Sequence, residues 1–363
     1  MAVTKKANVI IPEVLADYVE EKLGDKSVFA PIADINDDLE NKGEGDTLSL
    51  PKYEYVGAAQ DVGEGQQIPV VNLQAGKVDK TVKKIGLGIP VTDEALLSVF
   101  GDIVEETATQ LAASIDDKSD NDFLAELEAI SGARKLIITG DMSSDVLIDA
   151  LEIFGEDEQG VKALYLNPKS VKALRKDPDY INGSDIATDI AIKGASGELW
   201  GCQFINTNRL KNKDEAFIVK PGALMFIRQR GVMVEPERSA GTQTTTWYGS
   251  KIGVPYLADE SKAAMIEKRS SVKAVDVCTS VAGEATNGTI LTVPVAPINC
   301  KWVYKLGSTD VTPTWGTAVT SYTDLVSGQE IAASTNTKAS VVLVFADDDK
   351  PIDYQNVTLV KKA

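Results

Sequence analysis

The stretch LGIPVTDE, residues 87–94, decides the fold because it joins an extended apolar segment to the start of a long helix. Thr92 suits the N-cap position, and Asp93 and Glu94 place two carboxylates in the first turn, where the helix dipole favours negative charge. Beyond them, one stripe recurs at helical spacing. Its positions are Leu96, Phe100, Ile103, Thr107, Leu111 and Ile115, widened by Val104, Ala108 and Ala112. A helix reaching residue 129 would be roughly 55 Å long at 1.5 Å per residue.

A polar interruption follows this stripe. Residues 116–122 read DDKSDND, and the apolar residues Phe123, Leu124 and Leu127 then resume on a different face. The pattern leaves two interpretations open at this point, namely a kink in the helix or a change of packing partner along a continuous helix.

Length and composition indicate a chain of two or three packed units. The 363 residues exceed one ordinary domain, and no run approaches the ~18 apolar residues that a membrane span needs. The apolar residues 9–11 are cut off by Pro12, so no signal peptide is predicted. We therefore expect synthesis and assembly in the cytoplasm, without a membrane partner.

The sequence contains little that points to enzyme catalysis. The chain has no histidine, which excludes Ser-His-Asp and Cys-His catalysis. Cys202, Cys278 and Cys300 lack CxxC spacing and are predicted to be buried thiols, with a Cys278–Cys300 bond in an oxidising medium as the alternative. We predict no catalytic, cofactor-binding or metal-binding residue, and no enzyme activity.

Negative charge is concentrated in the long helix. Residues 91–130 carry one lysine against eleven acidic residues, so this segment holds −10 of the net charge of −17. Such a surface repels phosphate, and specific recognition of nucleic acid is not expected. The segment is either a solvated helix face or a wall against a space filled with concentrated polyanion.

Residues 46–91 predict a long two-stranded ribbon. Two alternating segments, TLSLP at 47–51 and GKVDKTVKKI at 76–85, flank a glycine-rich middle that lacks a GxxxxGK[ST] phosphate loop. Two strands alone are only marginally stable, so the ribbon is expected to lie on another subunit. Lysines 77, 80, 83 and 84 would protect a strand edge or pair with an acidic neighbour.

The rest of the chain divides by composition. Residues 134–270 alternate helix and strand patterns, which predicts an α+β unit. From residue 271, short alternating segments predict a small β-sandwich of immunoglobulin-like size, linked through Ser270 and Ser271. Trp302 is expected in its core, and Trp315 is the candidate surface stacking residue.

The order of these parts resembles the major capsid proteins of tailed bacteriophages, which have the HK97-like fold. The similarity runs from about residue 10 to residue 270. The matching motifs are GDTLSLP at 45–51, Gly63-Glu64-Gly65 with Ile68-Pro69, IPVTDEAL at 89–96, LYLNP at 164–168, GELWG at 197–201, and a late strand with Arg228, Arg230 and Gly231.

This resemblance implies an α+β HK97-like capsid fold with an N-terminal arm, an extended β-ribbon loop, a long spine helix, and peripheral and axial domains. It also implies that the helix continues through Asp120 and Phe123. The expected segments are the arm at 1–45, the ribbon at 46–91, the spine helix at 92–133, mainly the axial domain at 134–235, return strands of the peripheral domain at 236–270, and a C-terminal all-β immunoglobulin-like sandwich at 271–363.

The resemblance implies a virion protein that self-assembles into hexameric and pentameric capsomers of an icosahedral shell around packaged DNA. Separate scaffolding and portal proteins would be further partners, and the C-terminal domain would stabilise particles or bind a host-surface glycan. Candidate intersubunit contacts are Tyr53, Tyr55, Glu64, Ile68, Lys77, Lys80, Lys83 and Lys84. Candidate lumen-facing acidic residues are Asp102, Glu105, Glu106, Asp116, Asp117 and Asp120.

Two other functions remain open from the sequence. The first is an encapsulin-like shell of a cellular nanocompartment, against which the appended β-sandwich argues. The second is an adhesin with an immunoglobulin-like tail, which the missing signal peptide disfavours.

Overall fold

Thr92 ends a strand and caps a helix, as the sequence predicts. In the computed structural model, strand β4 (Lys83–Thr92) leads into helix α1 (Asp93–Ser98), and the Ala95 amide donates to Thr92 Oγ1 at 3.3 Å. Helix α2 (Ile103–Glu128) follows, and its 26 residues span about 39 Å at 1.5 Å per residue. The predicted N-cap is therefore confirmed.

The structure describes residues 19, 22, 27–37, 45–53, 61–62, 67–68, 70, 75–98, 103–158, 160–177, 198–210 and 214–362. These residues belong to two units. The first unit comprises residues 1–124 and 224–257, and the second comprises residues 125–223 and 258–363.

The first unit is built on a four-stranded sheet in the order β1-β10-β11-β4. Its further strands are β1 (Asp34–Asn36), β10 (Leu224–Ser239) and β11 (Thr244–Leu257). Strand β1 runs parallel to β10, and the other pairs are antiparallel. Helix α2 lies against this sheet, because Leu111 and Ala112 share a buried cluster with Val91, Val234 and Trp247. A separate two-stranded sheet pairs β2 (Thr47–Tyr53) with β3 (Ala75–Thr81).

Helix α2 is continuous through the polar interruption. Its helical residues run from Ile103 to Glu128 without a break. The packing partner changes along the helix, which is the second of the two predicted alternatives. Leu111 packs with the sheet residue Trp247, whereas the Phe123 ring contacts Phe29 and Phe226 at centroid distances of 6.2 Å.

The second unit contains a six-stranded mixed sheet in the order β5-β12-β9-β6-β8-β7. The strands are β5 (Lys135–Ile138), β6 (Lys162–Leu166), β7 (Glu198–Leu199), β8 (Cys202–Asn206), β9 (Glu215–Val219) and β12 (Ala263–Lys268). Helices α3 (Ser144–Glu152) and α4 (Pro168–Leu174) pack on it through a core that includes Leu147, Leu151, Leu164, Leu174 and Ile218. An alternating helix and strand pattern thus forms the predicted α+β unit.

Two strands near the predicted domain boundaries join sheets that the sequence does not indicate. Residues 224–235 lie at the end of the segment predicted to be mainly axial, and they belong to β10 in the sheet of the first unit. Conversely, β12 was assigned to the peripheral return strands at 236–270, and it pairs with β5 and β9 in the six-stranded sheet. The reason is that strand alternation identifies a strand without identifying the sheet it joins.

The C-terminal residues form two further sheets, which we call the terminal sandwich. One sheet has the order β13-β20-β19-β16-β17 and the other β14-β15-β18. The bounds are β13 (Lys273–Ala274), β14 (Thr279–Ala282), β15 (Gly288–Thr292), β16 (Cys300–Gly307), β17 (Thr323–Asp324), β18 (Glu330–Ala332), β19 (Lys338–Phe345) and β20 (Pro351–Thr358). Trp302 lies in their shared core with Leu291 and Leu343, as predicted. Its indole Nε1 donates to the Pro294 carbonyl at 3.0 Å.

Among the described helices, none combines the length and apolar character required to cross a membrane. The three cysteines are free thiols: Cys202 and Cys278 are buried, and Cys300 is half-buried. Burial raises the pKa of Cys278 to about 11. Burial, aided by the Asp353 carboxylate, raises the pKa of Cys300 to about 12.

We expect Cys278 and Cys300 to react slowly with a thiol reagent at pH 8, because only the thiolate attacks. A pKa of about 11 instead of 9.0 lowers the thiolate fraction of Cys278 about a hundredfold. A colourimetric thiol assay on native and urea-unfolded protein measures the difference. Rapid modification of the native protein would contradict this expectation, and a mass lower by two hydrogens would reveal a disulfide.

Candidate functional site

The ribbon forms as predicted over the residues that the structure describes. Strands β2 and β3 pair antiparallel at seven positions, from Thr47 opposite Thr81 to Tyr53 opposite Ala75. Ser49 Oγ donates to Asp79 Oδ1 across the pair at 2.6 Å. Because side chains directly opposite share a face, the ribbon has one face with Leu48, Leu50 and Lys80 and another with Ser49 and Lys77.

The base of the ribbon is anchored to its own subunit. Leu48 and Leu50 pack on a buried cluster that contains Val82, Ile227 and Ile252. The Val82 amide also donates to the Asp46 carbonyl at 3.0 Å. These contacts hold the start of the ribbon on its own subunit. Residues between the two strands carry exposed apolar side chains. Ile68 is 71% exposed and Val70 is 85% exposed.

The candidate contact residues are distributed along this ribbon. Lys77, Lys83 and Lys84 are exposed, and Lys80 is half-buried. Tyr53 ends strand β2, while Tyr55 and Glu64 lie outside the described residues. Exposed lysines and the exposed apolar side chains of Ile68 and Val70 thus belong to one stretch of the chain.

The acidic helix presents fewer carboxylates than the sequence predicts. Glu105, Glu106 and Asp117 are exposed, and Asp102 lies outside the described residues. The prediction is wrong for Asp116 and Asp120, which are only 4% and 0% exposed. Both residues occupy the buried row of the helix and cannot present their charge on the subunit surface.

Asp120 is an internal anchor for the N-terminal arm. Its carboxylate accepts hydrogen bonds from Ser27 Oγ at 2.6 Å, the Val28 amide at 2.8 Å and the Phe29 amide at 3.4 Å. Phe29 is fully buried beside Phe123. These donors offset the cost of burying a carboxylate and fix the arm against helix α2.

A second anchor holds the arm where it joins the sheet. Strand β1 pairs with Met225, Phe226 and Ile227 of β10. Arg228 then binds Asp37 through two hydrogen bonds of 2.6 and 3.0 Å, and this contact lowers the pKa of the Asp37 carboxyl. An analogous pair, Arg238 with Asp93, lowers the pKa of Asp93 in the first turn of α1.

The aromatic candidates differ in exposure. Trp315 is half-buried, and its role as a stacking residue stays a prediction. Trp200, which the sequence reasoning did not select, is 56% exposed at the tip of the β7–β8 hairpin. Trp200 and Gly201 have φ angles of +53° and +71°, which is the geometry of a two-residue type I′ turn. A bulky side chain is unfavourable at a positive φ. A tryptophan directly before a glycine in a predicted turn, as in Trp200-Gly201, is therefore unusual, and this is the sequence signal that marks the residue.

No group of three or more metal-ligating side chains occurs in the described part of the chain. A cavity of about 300 Å³ in the second unit is lined by charged residues of both signs, including Lys169, Lys172 and Asp214. Lys268 and Asp141 pair across 2.6 Å at its wall, and this pairing lowers the pKa of Asp141.

Comparison with known proteins identifies the family. A family model described as phage capsid protein matches residues 76–266. The major capsid protein of Staphylococcus phage phiMR11 is 38% identical over 271 residues, which cover 74% of this chain and 97% of the relative.

Solved structures share the fold at low sequence identity. The capsid structure of cyanophage P-SCSP1u superposes with a TM-score of 0.56 at 11% identity, covering 74% of this chain and 93% of that chain. A virus-like particle from Pyrococcus furiosus gives a TM-score of 0.50 at 13% identity, covering 71% of this chain and 100% of that chain.

We expect Asp120→Ala to lower the free energy of unfolding by about 3 kcal/mol, because it removes the buried carboxylate that accepts hydrogen bonds from Ser27 Oγ and from the amides of Val28 and Phe29. Urea unfolding followed by circular dichroism measures this loss. The exposed Asp117→Ala on the same helix is the control and should change stability by less than about 0.5 kcal/mol. Equal effects of the two substitutions would show that Asp120 is not an anchor.

Proposed function

The chain belongs to the phage capsid protein family, and we propose that the β-ribbon carries the contacts by which its copies build a shell around packaged DNA. It is a major capsid protein of a phage virion, and self-association is its function. In the proposed arrangement, the ribbon of one subunit lies on the neighbouring subunit, and hexameric and pentameric capsomers form through this contact.

The exposed apolar ribbon is the observation that carries this proposal. A two-stranded ribbon without a covering layer is marginally stable, and contiguous exposed apolar side chains mark interaction sites. Ile68 and Val70 are among the most exposed large apolar residues described. Burial of these side chains on a neighbouring copy would supply the stability that the isolated ribbon lacks.

Charge supports the same arrangement. The exposed lysines 77, 83 and 84 belong to a chain whose net charge is −17, so a neighbouring copy offers an acidic surface. Pairs of this kind contribute little energy when exposed, but they fix register and disfavour wrong pairings. The lysines therefore orient a contact whose energy comes from the apolar segment.

Glu105, Glu106 and Asp117 are the carboxylates that we assign to the lumen. They are exposed on helix α2, and like charge keeps DNA from adhering to a wall without any base recognition. Asp116 and Asp120 take no part, because they are buried within the subunit. Scaffolding and portal proteins are the further partners that such an assembly pathway calls for.

We assign an outer position to the terminal sandwich and an immunoglobulin-like character to its fold. The family match ends at residue 266, and the phiMR11 relative is 97% covered although a quarter of this chain is not. The sandwich is therefore an addition to the part shared with that relative. Stabilisation of particles, or binding of a host-surface glycan through Trp315, are the roles proposed for it.

A compartment shell of the same fold is the second candidate. Sequence favours the phage function, since the phiMR11 major capsid protein is 38% identical over 74% of this chain. Nuclease-resistant DNA inside particles isolated from the native host would support the phage capsid, whereas an enclosed protein cargo would support the compartment.

We expect the purified chain to form closed shells, tubes or capsomers that are visible by negative-stain electron microscopy. Light scattering over a dilution series gives the association in solution. A monomer that persists at all concentrations, with native circular dichroism, would count against the assembly surfaces proposed here. Addition of a scaffolding protein would then test whether assembly needs a second component.

We expect removal of residues 57–68 to abolish shell formation while the subunit remains folded, because the paired strands β2 and β3 and their apolar base lie outside the deletion. Ile68→Ser with Val70→Ser should raise the concentration needed for assembly about tenfold. The matched control is Val281→Ser with Val326→Ser, which alters two exposed valines of the terminal sandwich. Normal particles from the deletion, or equal effects of both double variants, would exclude the ribbon as the contact.

A further inference from the structure

Strand β5 lies at the edge of the six-stranded sheet, where an uncovered strand would offer free backbone groups to other chains. Residues that precede β16 occupy this edge. The Ile298 amide donates to the Lys135 carbonyl at 3.0 Å, and Leu136 and Ile298 form a parallel bridge. Asn299 Nδ2 donates to the Ile137 carbonyl at 3.1 Å. The terminal segment thus continues the hydrogen bonding of the sheet.

Strand β5 also joins two hydrophobic cores. The Leu136 side chain belongs to the core beneath helices α3 and α4. The adjacent Ile137 is 2% exposed and belongs to the core of the terminal sandwich, with Leu291 and Trp302. Since successive side chains of a strand point to opposite faces, this one strand is covered on both faces.

Gly132 permits a close approach between these parts. A Cβ built on Gly132 would lie 1.9 Å from the Val295 carbonyl oxygen. The next atoms it would meet are the carbonyl carbons of Val295 and Ala296, at 2.9 and 3.2 Å. All three atoms belong to the terminal segment and are backbone, so a side chain at position 132 would force that segment away.

A half-buried group of three charged side chains spans the connection between β12 and β13. Arg269 follows β12 directly, and its side chain is 17% exposed. Its Nε lies 3.0 Å from Glu267 Oε1 of β12, and its Nη2 lies 3.6 Å from Asp353 Oδ2 of β20. One guanidinium therefore contacts a carboxylate on each side of the connection.

We infer that the terminal sandwich is a built-in cover for the β5 edge, held on the six-stranded sheet in one orientation by Ile137, Asn299, Arg269 and the gap left by Gly132. The sandwich covers the outer face of β5 at Ile137. Ser270 and Ser271 connect two parts that are already joined, so they do not act as a free linker. Loss of residues 272–363 is expected to expose Ile137 and the β5 edge and to promote aggregation of the subunit.

The test uses the full chain with Gly132→Ala and, as a matched control, Gly140→Ala. A Cβ at Gly140 meets nothing within 4 Å, so the control has the same chemistry without the clash. Lys268 and Arg269 are half-buried, so we expect trypsin to cut after them when the connection opens, at a rate that follows the population of the open form. We expect Gly132→Ala to be cut there about tenfold faster than the control. Equal rates would overturn the inference.

A second variant guards against failure of Gly132→Ala to fold. Asn299 has a φ of +61°, so Asn299→Gly keeps its backbone conformation accessible while removing the bond to Ile137. We expect faster amide hydrogen exchange in residues 135–138, measured by mass spectrometry, and unchanged exchange in β19. Unchanged exchange in residues 135–138 would also overturn the inference. Particle formation is measured separately by electron microscopy. If particles fail to form while the segment between β12 and β13 still resists trypsin, that result bears only on the proposed ribbon contact.

Discussion

Burial of one row of helix α2 is the constraint on which the first unit depends. Residues four apart on a helix share a face, and every member of this row is at most 4% exposed. The row consists of Ala108, Ala112, Asp116, Asp120 and Leu124. Its N-terminal part packs on the sheet, and farther along Asp120 binds the arm. The path of the arm through Phe29 and the Arg228–Asp37 pair follows from this anchor.

Local patterns could be predicted from the sequence, and long-range partners could not. The Thr92 cap and the ribbon strands depend on neighbouring residues, so periodicity and capping preference sufficed. The charge of an aspartate favours a surface position for Asp116 and Asp120. Their helical spacing from Ala108 and Ala112, however, places them in the buried row. For Asp120, the turn at Ser27 that donates to the buried carboxylate is 93 residues away in the sequence. Likewise, no local pattern tells that β10 belongs to one unit and β12 to the other.

The second unit shows how a domain can be added to an existing sheet. Strand β5 reads KLII, which is apolar at both Leu136 and Ile137, and strands buried on both faces have this continuous pattern. A strand at the edge of a sheet with an apolar outer face is a liability unless it is covered. The terminal sandwich covers it with backbone hydrogen bonds and apolar contacts. These bonds need little specific side-chain chemistry, apart from a glycine at 132 and an asparagine at 299.

The carboxylates of helix α2 have different electrostatic effects, depending on whether they are buried or exposed. A carboxylate buried with amide donors stabilises its own subunit, because the donors replace its hydration. An exposed carboxylate such as Glu105 adds to the field that every copy presents to its neighbours. Copies of a chain with a net charge of −17 repel one another, so association must be driven by apolar burial, with basic ribbon residues lowering the repulsion locally. Burial of Asp120 therefore keeps one negative charge away from the surface that copies present to one another, and its three hydrogen-bond donors offset the cost of that burial.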